Sequence, residues 1–549
     1  MRQAGAISEF VLCFDGTGFK FRGDEADSNV LKIFRKMLDR NTSQIHYYQP
    51  GIGTNTNSIW LSPDTRASSV KRWYAKTKDA AVGSTFEEHV MAGYRYLMRF
   101  YSPRDRIYIF GFSRGAYVAR ILAEMLDHVG LLEPGNEGKV RYVWSTFNNW
   151  ARLFNSKDAG QKEKDETYRY MKALRETFCL PILQIRFLGL FDTVNSVPQF
   201  EANRNKFMFP YTAKTSARVI RHAVSIDEHR AKFREDLISN ANPTAGSARK
   251  RPNDHKARRV HPRDRQDGHL DGDYDRRPTT NEGPRQGASA EEALYRPVPR
   301  SHRPDQRTQP ESQDGTLPGA YTPEECEVTA QDIEEVWFPG CHEDIGGGLK
   351  PREDEGWALS HVPLVWMVHE AQRAGLQFDP DKLKQFHCFG DSIDSGVQHD
   401  PGHRTADLEG KENEGVSCER SDFEYAFWRA STNGQLHDNL RYGHDAPWPT
   451  VLSWRMVEYL PFRRLSLQED GSWKPIRWPL PRGERRDIPR DATIHGSVIR
   501  RMEVNSKYRP KNLIRRGKGK EKEKGGDETE QWEVRAHHGC PVRETYRRK

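Results

Sequence analysis

The stretch IYIFGFSRGAYVARILAEMLDHVG, residues 107–130, decides the predicted fold. Residues 107–110 are β-branched and aromatic, which favours a buried strand. After Ser113, apolar residues recur every three or four positions, as on the buried face of a helix; they are Val118, Ile121, Leu122, Met125, Leu126 and Val129. Because Gly130 then offers a helix stop, the stretch predicts a strand, a Gly-bounded turn that carries Ser113, and a helix.

Three more segments are predicted to be strands of the same sheet. They span residues 10–14, 185–191 and 336–340, and a further helix is expected over residues 359–374. Alternating strands and helices are typical of a mostly parallel sheet flanked by helices. We therefore predict an α/β fold, interrupted by a long disordered insertion and followed by a C-terminal extension.

The insertion is predicted from composition. Residues 249–307 contain almost no large aliphatic side chains, so this region cannot bury enough apolar surface to offset its ordering entropy. The expected organisation is a first core part (1–240), a disordered polar insertion (241–328), a second core part (329–400), a C-terminal extension packing on the core (401–513) and a charged low-complexity tail (514–549).

Composition also excludes several classes of protein. The net charge of +8 is modest, and acidic and basic residues are interspersed, so no nucleic-acid partner is expected. Seven scattered cysteines without a C-x-x-C pair argue against a disulfide framework and a zinc site. No apolar run reaches the roughly 18 residues of a membrane-spanning helix, and the start lacks the apolar region of a secretory signal. We expect an intracellular, cytoplasmic protein without a transmembrane segment.

Ser113 stands in the pattern G-x-S-x-G between the predicted strand and helix. Such a turn lifts the hydroxyl above the sheet, where N–H groups of the helix N-terminus can stabilise an oxyanion. A serine nucleophile also needs a base, and an acid that orients the base. Asp192 and His342 each follow a predicted strand, in the chain order Ser, Asp, His of α/β-hydrolases. We predict that Ser113, Asp192 and His342 are catalytic.

Each of the two predicted partners of Ser113 has an alternative interpretation. Asp192 can instead be an ordinary turn or N-cap residue. His342 is one of 20 histidines, so its place after a strand can be incidental. Asp344, two residues beyond His342, competes with Asp192 as the orienting acid.

The oxyanion donors are expected next to the serine and at a neighbouring strand end. Arg114 supplies the first N–H, and the loop containing Gly16 and Thr17 is the candidate for the second, unless it is only a structural turn. The same loop resembles the D-x-D-G-T motif of aspartate-nucleophile phosphatases, but Cys13 stands where their nucleophile should be. The serine mechanism requires no metal and no organic cofactor.

Five blocks of sequence together resemble one known family. They are LCFDGTG, GFSRGAYVAR, FLGLFDTVNSV, RHAVSIDEHRAKF and WFPGCHEDIGGG, and they lie between residues 9 and 375. They resemble the α/β-hydrolase domain of type VI secretion phospholipase effectors and of many fungal and bacterial proteins. The resemblance implies an α/β-hydrolase-like fold, an esterase or phospholipase activity, and the triad of Ser113, Asp192 and His342. An ester, with phospholipid as the leading candidate, is the expected substrate.

Two other segments carry open hypotheses. In RHAVSIDEHRAKF, a helix would pair Glu228 with Lys232 as a solvated ion pair, which is simpler than a substrate role. In SWKPIRWPLPRGERR, aromatic and basic residues interleave, which fits either peripheral contact with anionic headgroups or an arm packed on the core. The residues concerned are Trp473, Trp478, Arg477, Arg485 and Arg486.

Two functions from different classes follow. The first is a serine hydrolase that cleaves carboxylic esters, of the phospholipase or lipase type. The second is a catalytically silent α/β-hydrolase scaffold that acts as an interaction protein, because a fold alone does not establish activity.

Overall fold

A computed structural model gives the structure of the chain. It describes residues 7–19, 21–39, 44–52, 81–154, 159–180, 182, 185–194, 217–238, 331–350, 356–389, 422–443, 446–462, 464–468, 471–513 and 532–549. The predicted insertion, residues 241–328, lies outside these ranges.

The strands of the described residues build one large sheet and two small ones. In chain order they are β1 (Glu9–Phe14), β2 (Gln44–Gln49), β3 (Arg106–Phe112), β4 (Leu131–Leu132), β5 (Cys179–Leu180), β6 (Ile185–Phe191), β7 (Val219–Ser225), β8 (Asp332–Phe338), β9 (Arg464–Leu467), β10 (Trp473–Ile476), β11 (Thr493–His495), β12 (Trp532–Ala536) and β13 (Thr545–Arg548). The large sheet has the order β12-β13-β11-β8-β7-β6-β3-β1-β2. Neighbours from β11 to β2 are parallel, and β13 and β12 continue the sheet in antiparallel pairing.

Helices connect these strands. Those of the described residues are α1 (Asn29–Lys32), α2 (Ala81–Phe100), α3 (Arg114–Val129), α4 (Val140–Phe154), α5 (Gln161–Phe178), α6 (His342–Gly346), α7 (His361–Arg373), α8 (Pro380–Gln385), α9 (Asp422–Asn433), α10 (Trp448–Val457) and α11 (Gly496–Val504). A π-helical turn (Ile33–Met37) and two 3₁₀ turns (Glu137–Lys139 and Ala231–Phe233) accompany them. None of the helices described here is both long and apolar enough to cross a bilayer.

Strands β1, β3 and β6 are almost continuously apolar because they are buried on both faces of the sheet. In β1, Phe10, Leu12 and Phe14 join a core cluster with α2, α3 and α4. Val11 and Cys13 alternate with them and join the opposite cluster, which includes α7. Helices thus cover both faces, and the prediction of an α/β-hydrolase-like, mostly parallel sheet flanked by helices is confirmed.

The decisive stretch of sequence folds as expected. The strand predicted over residues 107–110 lies within β3, and the apolar pattern after Ser113 forms α3. C-cap Gly130 follows α3, with a φ of 79° that favours glycine. The helix expected over residues 359–374 is α7.

The C-terminal residues differ from expectation. We expected residues 514–549 to form a charged low-complexity tail, but residues 532–549 contain β12 and β13 of the large sheet. Charged residues in these two strands, of which β12 is the edge of the sheet, hide the strand pattern. Trp532 and Tyr546 nevertheless pack against a core cluster that contains Ile494. The preceding extension also enters the sheet, because β11 pairs with β8.

Candidate active site

Ser113 occupies the turn between β3 and α3 in a conformation that L-residues rarely adopt. Its φ is 58° and its ψ is −125°, so the surrounding structure must hold the turn. The Ser113 N–H donates to the Phe191 carbonyl of β6 at 2.9 Å, and the Ser113 carbonyl accepts from the Tyr117 N–H of α3 at 3.3 Å. The neighbouring strand and the helix therefore fix the position of the hydroxyl.

Both glycines of the G-x-S-x-G pattern are required by close packing. A Cβ at Gly111 would lie 2.4 Å from the Cα of Ala116, in the first turn of α3. A Cβ at Gly115 would lie 2.4 Å from the carbonyl oxygens of Phe14 and Asp15, at the end of β1. The glycines thus allow α3 to lie directly against β3 and against the loop that follows β1.

His342 is the first residue of α6, just beyond β8, and its imidazole links the serine to an acid. Nε2 lies 2.8 Å from Ser113 Oγ, and Nδ1 lies 2.5 Å from Asp192 Oδ2. Because a carboxylate only accepts, the Nδ1–H donates to Asp192 and Nε2 is left to accept the serine proton. The structure brings these three predicted residues, called the triad below, into hydrogen-bond contact, and their catalytic role stays a prediction.

Asp192 follows β6 and is held by backbone groups and by charge. Its N–H donates to the Ala223 carbonyl at 2.8 Å, and Oδ1 accepts from the Ser225 N–H at 2.9 Å. Burial raises the pKa of this carboxyl, but the charges and hydrogen bonds of Arg486 and His342 offset burial and hold the pKa below its ordinary value. Asp192 is therefore ionised and can orient the imidazole.

Arg486 is the cation beside Asp192, and the sequence did not indicate this role. Nη1 donates to Oδ1 at 2.6 Å and Nη2 donates to Oδ2 at 2.9 Å. Nη2 also donates to the Phe233 carbonyl, and Nε lies 3.3 Å from Glu235 Oε2. Because Arg486 is only 1% exposed, the hypothesis that it meets anionic headgroups is wrong. Trp478 of the same segment is exposed.

Asp344, the competing acid, is engaged elsewhere. Its Oδ2 accepts from the Cys341 N–H at 2.8 Å and from the His437 N–H at 3.0 Å, while Oδ1 lies 2.6 Å from His437 Nδ1. These contacts brace the turn that carries His342. The acid in contact with the His342 imidazole is Asp192.

Glu228 holds the backbone of His342. Its Oε2 accepts from the His342 N–H at 3.1 Å and from Arg230 Nη2 at 2.7 Å. The helix considered for the segment around Glu228 does not form. Strand β7 ends at Ser225, and a 3₁₀ turn begins at Ala231. A turn lets Glu228 accept from the nearby Arg230, and the same guanidinium reaches Glu343 Oε2 at 2.7 Å. The predicted pairing with Lys232 is replaced by this buried pair.

Aromatic rings enclose the imidazole of His342. The Phe112 ring lies 4.9 Å from it and the Phe233 ring 4.7 Å, measured between centroids. The ring of Trp454, on α10, lies 5.5 Å from the Phe233 ring. These rings exclude water from the base, which strengthens its hydrogen bonds.

The loop after β1 carries the other candidate oxyanion donors. The Gly16 N–H donates to Asp15 Oδ1 at 2.7 Å, so it is already engaged. The side-chain oxygen of Thr17 is buried and has no hydrogen-bond partner among the described residues. The neighbouring Gly16 packs on Phe112, where a Cβ would meet the ring at 2.7 Å. The Thr17 hydroxyl is therefore a donor of this loop without a described partner, and its neighbour Gly16 packs on the residue that precedes Ser113.

Asp15 anchors this loop from inside the protein. Its Oδ2 accepts from the hydroxyls of Ser28 at 2.8 Å and Tyr48 at 2.7 Å. Burial raises the pKa of Asp15 to about 6, although hydrogen bonds from Tyr48, Ser28 and Gly16 lower it in part. The loop thus rests on a carboxyl that titrates near neutral pH.

Within the described ranges, no group of three or more His, Cys, Asp or Glu side chains is arranged to hold a metal ion. The polar groups around the triad instead bind one another. The arrangement is that of a buried serine, a base and an oriented acid, which can perform nucleophilic acyl transfer.

Comparison with known proteins identifies the family. Residues 8–370 match the family model described as the catalytic domain of Tle1-like phospholipase effectors of type VI secretion systems. A Saccharomyces cerevisiae protein described as uncharacterized is 26% identical over 562 residues, covering 92% of this chain and 80% of that protein.

Two solved structures were also matched. A crystal structure of an uncharacterized protein from Pseudomonas aeruginosa has a TM-score of 0.28 and 18% identity, covering 69% of this chain and 49% of the other. The Tle1 effector bound to the VgrG spike has a TM-score of 0.24 and 15% identity, covering 63% and 52%. The chain thus spans about half the length of these two structures. Because the family model covers most of the chain, the protein belongs to the family of Tle1-like phospholipase effector catalytic domains.

Proposed function

We propose that the protein hydrolyses a carboxylic ester of a phospholipid, with Ser113 as nucleophile. The observation that carries this proposal is the pair of contacts from Ser113 Oγ to His342 Nε2, at 2.8 Å, and from His342 Nδ1 to Asp192 Oδ2, at 2.5 Å. The family supports a lipase-type hydrolase, and its description as phospholipase effectors supplies the substrate class.

The reaction begins with attack of Ser113 Oγ on the ester carbonyl carbon while His342 Nε2 takes the hydroxyl proton. Asp192 stabilises the imidazolium that forms. The tetrahedral intermediate collapses as the C–O bond to the alcohol breaks and His342 returns the proton to the leaving oxygen. Water then attacks the acyl-enzyme in the same manner, which releases the fatty acid and restores Ser113.

The negative oxygen of each tetrahedral intermediate needs donors that are already in place. The N–H of Arg114 follows the nucleophile at the start of α3 and is the first donor. The hydroxyl of Thr17, buried and without a partner among the described residues, is the second. Gly16 shapes the loop, and its own N–H is occupied by Asp15.

Purified wild type and Ser113→Ala test the proposal side by side. Each is assayed on short-chain p-nitrophenyl esters and on phospholipid vesicles by release of free acid, and each is treated with a fluorophosphonate probe. We expect wild type to hydrolyse both kinds of ester and to be labelled, and Ser113→Ala to do neither. Circular dichroism confirms that both proteins are folded.

A folded wild type that neither labels nor releases acid would contradict the proposal and favour the silent scaffold. Labelling that persists in Ser113→Ala would show that another nucleophile reacts. Hydrolysis of p-nitrophenyl esters without any release from vesicles would keep the serine mechanism but remove phospholipid as the substrate.

A further inference from the structure

α10 and the turn after it expose a row of large apolar side chains. The exposed fractions are 69% for Trp448, 38% for Leu452, 64% for Met456, 61% for Tyr459 and 41% for Leu460. These residues are named the apolar stripe. Trp448, Leu452 and Met456 lie four positions apart on one side of α10, and Tyr459 and Leu460 lie in the turn that follows the helix. Neighbouring apolar side chains in water form the kind of patch that marks an interaction surface.

The other side of α10 is fixed to the protein. Val451 and Val457 are buried. Glu458, at the end of the helix, accepts from the Ala231 N–H at 2.7 Å and from the Gly483 N–H at 3.1 Å. Since these contacts hold the inner side, the apolar stripe faces outward on a firmly seated helix.

The same helix borders the triad. Trp454 lies on α10, and its ring is 5.5 Å from the ring of Phe233. Phe233 in turn lies 4.7 Å from the imidazole of His342. Only two aromatic side chains therefore separate the imidazole from the helix that carries the apolar stripe.

Two exposed cationic side chains lie beside the apolar stripe. Arg455 is exposed within α10, and Arg482 lies with its guanidinium carbon 5.9 Å from the centre of the Tyr459 ring. Residues 448–460 contain one acidic residue, Glu458, and its side chain is buried. Exposed aromatic, aliphatic and cationic side chains on one surface have the composition of segments that lie in a membrane interface.

We infer that the apolar stripe docks the protein on the surface of a phospholipid bilayer with anionic headgroups. Trp448 and Tyr459 sit at headgroup level, the aliphatic side chains of the stripe enter the acyl region, and Arg455 and Arg482 meet headgroup phosphates. Docking in this orientation presents lipid esters beside Phe233 and the triad. The choice of a phospholipid surface rests on the proposed function, and the docking face itself rests on exposure and charge.

Binding to vesicles tests the inference without any need for catalysis. Cosedimentation is measured with phosphatidylcholine vesicles, with and without phosphatidylserine, for wild type, Ser113→Ala and the double variant Trp448→Ser, Met456→Ser. The matched control is Tyr142→Ser, Tyr170→Ser, which removes two aromatic side chains that are 49% and 52% exposed on α4 and α5. Exposed apolar-to-serine changes of this kind have little effect on folding.

We expect wild type, Ser113→Ala and the control to bind vesicles that contain phosphatidylserine, and the stripe variant to bind at least tenfold more weakly. The stripe variant should keep wild-type turnover of a soluble p-nitrophenyl ester while losing at least tenfold on vesicles. If wild type is catalytically idle but binds vesicles through the apolar stripe, the proposed function fails and this inference stands.

Three results would overturn the inference. The first is vesicle binding by the stripe variant equal to that of wild type, and the second is equal binding of wild type with and without phosphatidylserine. The third is a wild type that ignores vesicles but forms a dimer, by analytical ultracentrifugation, that the stripe variant does not form, since the stripe would then be covered by a second copy.

Discussion

The guanidinium of Arg486 faces the carboxylate of Asp192 with two hydrogen bonds, Nη1 to Oδ1 at 2.6 Å and Nη2 to Oδ2 at 2.9 Å. His342 Nδ1 shares Oδ2 with this guanidinium. A two-bond contact fixes the plane of the carboxylate, and this plane directs Oδ2 at the imidazole. Arg486 is therefore a positioning residue whose effect on the reaction passes through Asp192.

Arg486→Met is expected to lower kcat and to change its pH dependence. Without the guanidinium, of these two side chains only His342 still offsets the burial of Asp192, so the pKa of Asp192 rises from its depressed value. The acid limb of the kcat/KM profile should then move to higher pH. The unpaired buried charge also costs about 3–5 kcal/mol of unfolding free energy. A pH profile on a soluble ester and a urea titration measure both effects.

Arg486→Lys separates charge from geometry in the same experiment. Lysine keeps the charge but makes no two-bond contact, so kcat should fall while the acid limb stays near that of wild type. Arg485→Gln is the control, since Arg485 is partly exposed and lies 3.6 Å from Asp227 Oδ1. A pH profile of Arg486→Met that superimposes on wild type would show that Arg486 does not act on Asp192.

The sequence could predict the triad but not Arg486, and the reason is physical. Each triad residue lies at the end of a strand that the local apolar pattern reveals. Arg486 lies among similar arginines in PRGERR, and its partner is 294 positions away in the chain. Nothing local distinguishes a buried arginine from a solvated one there.

The sequence did not reveal strand β7, for a related reason. Two of its polar residues, Arg221 and His222, suggest an exposed segment, but both are buried. Arg221 donates to Glu370 at 2.6 Å, and His222 Nδ1 lies 2.9 Å from Glu335 Oε2. Because these partners come from distant α7 and β8, the sequence alone could not show that the polar residues are paired inside the protein.

The choice of orienting acid gives a second prediction. Asp192→Asn should lower kcat about 10⁴-fold, because the amide no longer holds the required imidazole tautomer. Asp344→Asn should lower kcat less than about tenfold, since Asp344 braces the Cys341 and His437 turns and does not touch the imidazole. Both variants are assayed well below their melting temperatures. If Asp344→Asn lowered kcat more than Asp192→Asn did, Asp344 would be the acid that orients His342.

The third prediction concerns the Thr17 hydroxyl as a donor to the oxyanion. Thr17→Val keeps the shape of the side chain and removes its donor, so kcat should fall about 10²-fold with KM little changed. Thr17→Ser keeps a hydroxyl and should retain most of the activity. Steady-state kinetics on a p-nitrophenyl ester distinguish the two variants. Equal losses in both would assign the effect to packing of the loop.

The raised pKa of Asp15 predicts that the stability of the protein depends on pH. Burial raises the pKa of Asp15 to about 6, above the value of about 3.9 expected in the unfolded chain. A group whose pKa is raised by folding stabilises the protein fully below its unfolded pKa, and this contribution is lost as pH rises through the folded pKa. The unfolding free energy of wild type relative to Asp15→Asn should therefore fall by about 3 kcal/mol from acidic to neutral pH. Urea titrations at both pH values measure this difference, and a constant difference would contradict it.

Gly115 tests how closely α3 must lie against the loop after β1. A Cβ at Gly115 would meet the carbonyl oxygens of Phe14 and Asp15 at 2.4 Å, whereas a Cβ at Gly138 would meet nothing within 4 Å. Gly115→Ala must therefore push the loop and the helix apart, which costs about 1–3 kcal/mol of unfolding free energy. It should also lower kcat, because a shift of α3 moves the turn that carries Ser113. Gly138→Ala, the control, should change stability by less than about 0.5 kcal/mol and leave kcat unchanged. Urea titration and ester kinetics measure both effects for both variants. A Gly115→Ala protein with wild-type stability and kcat would mean that the loop and α3 can move apart without displacing Ser113.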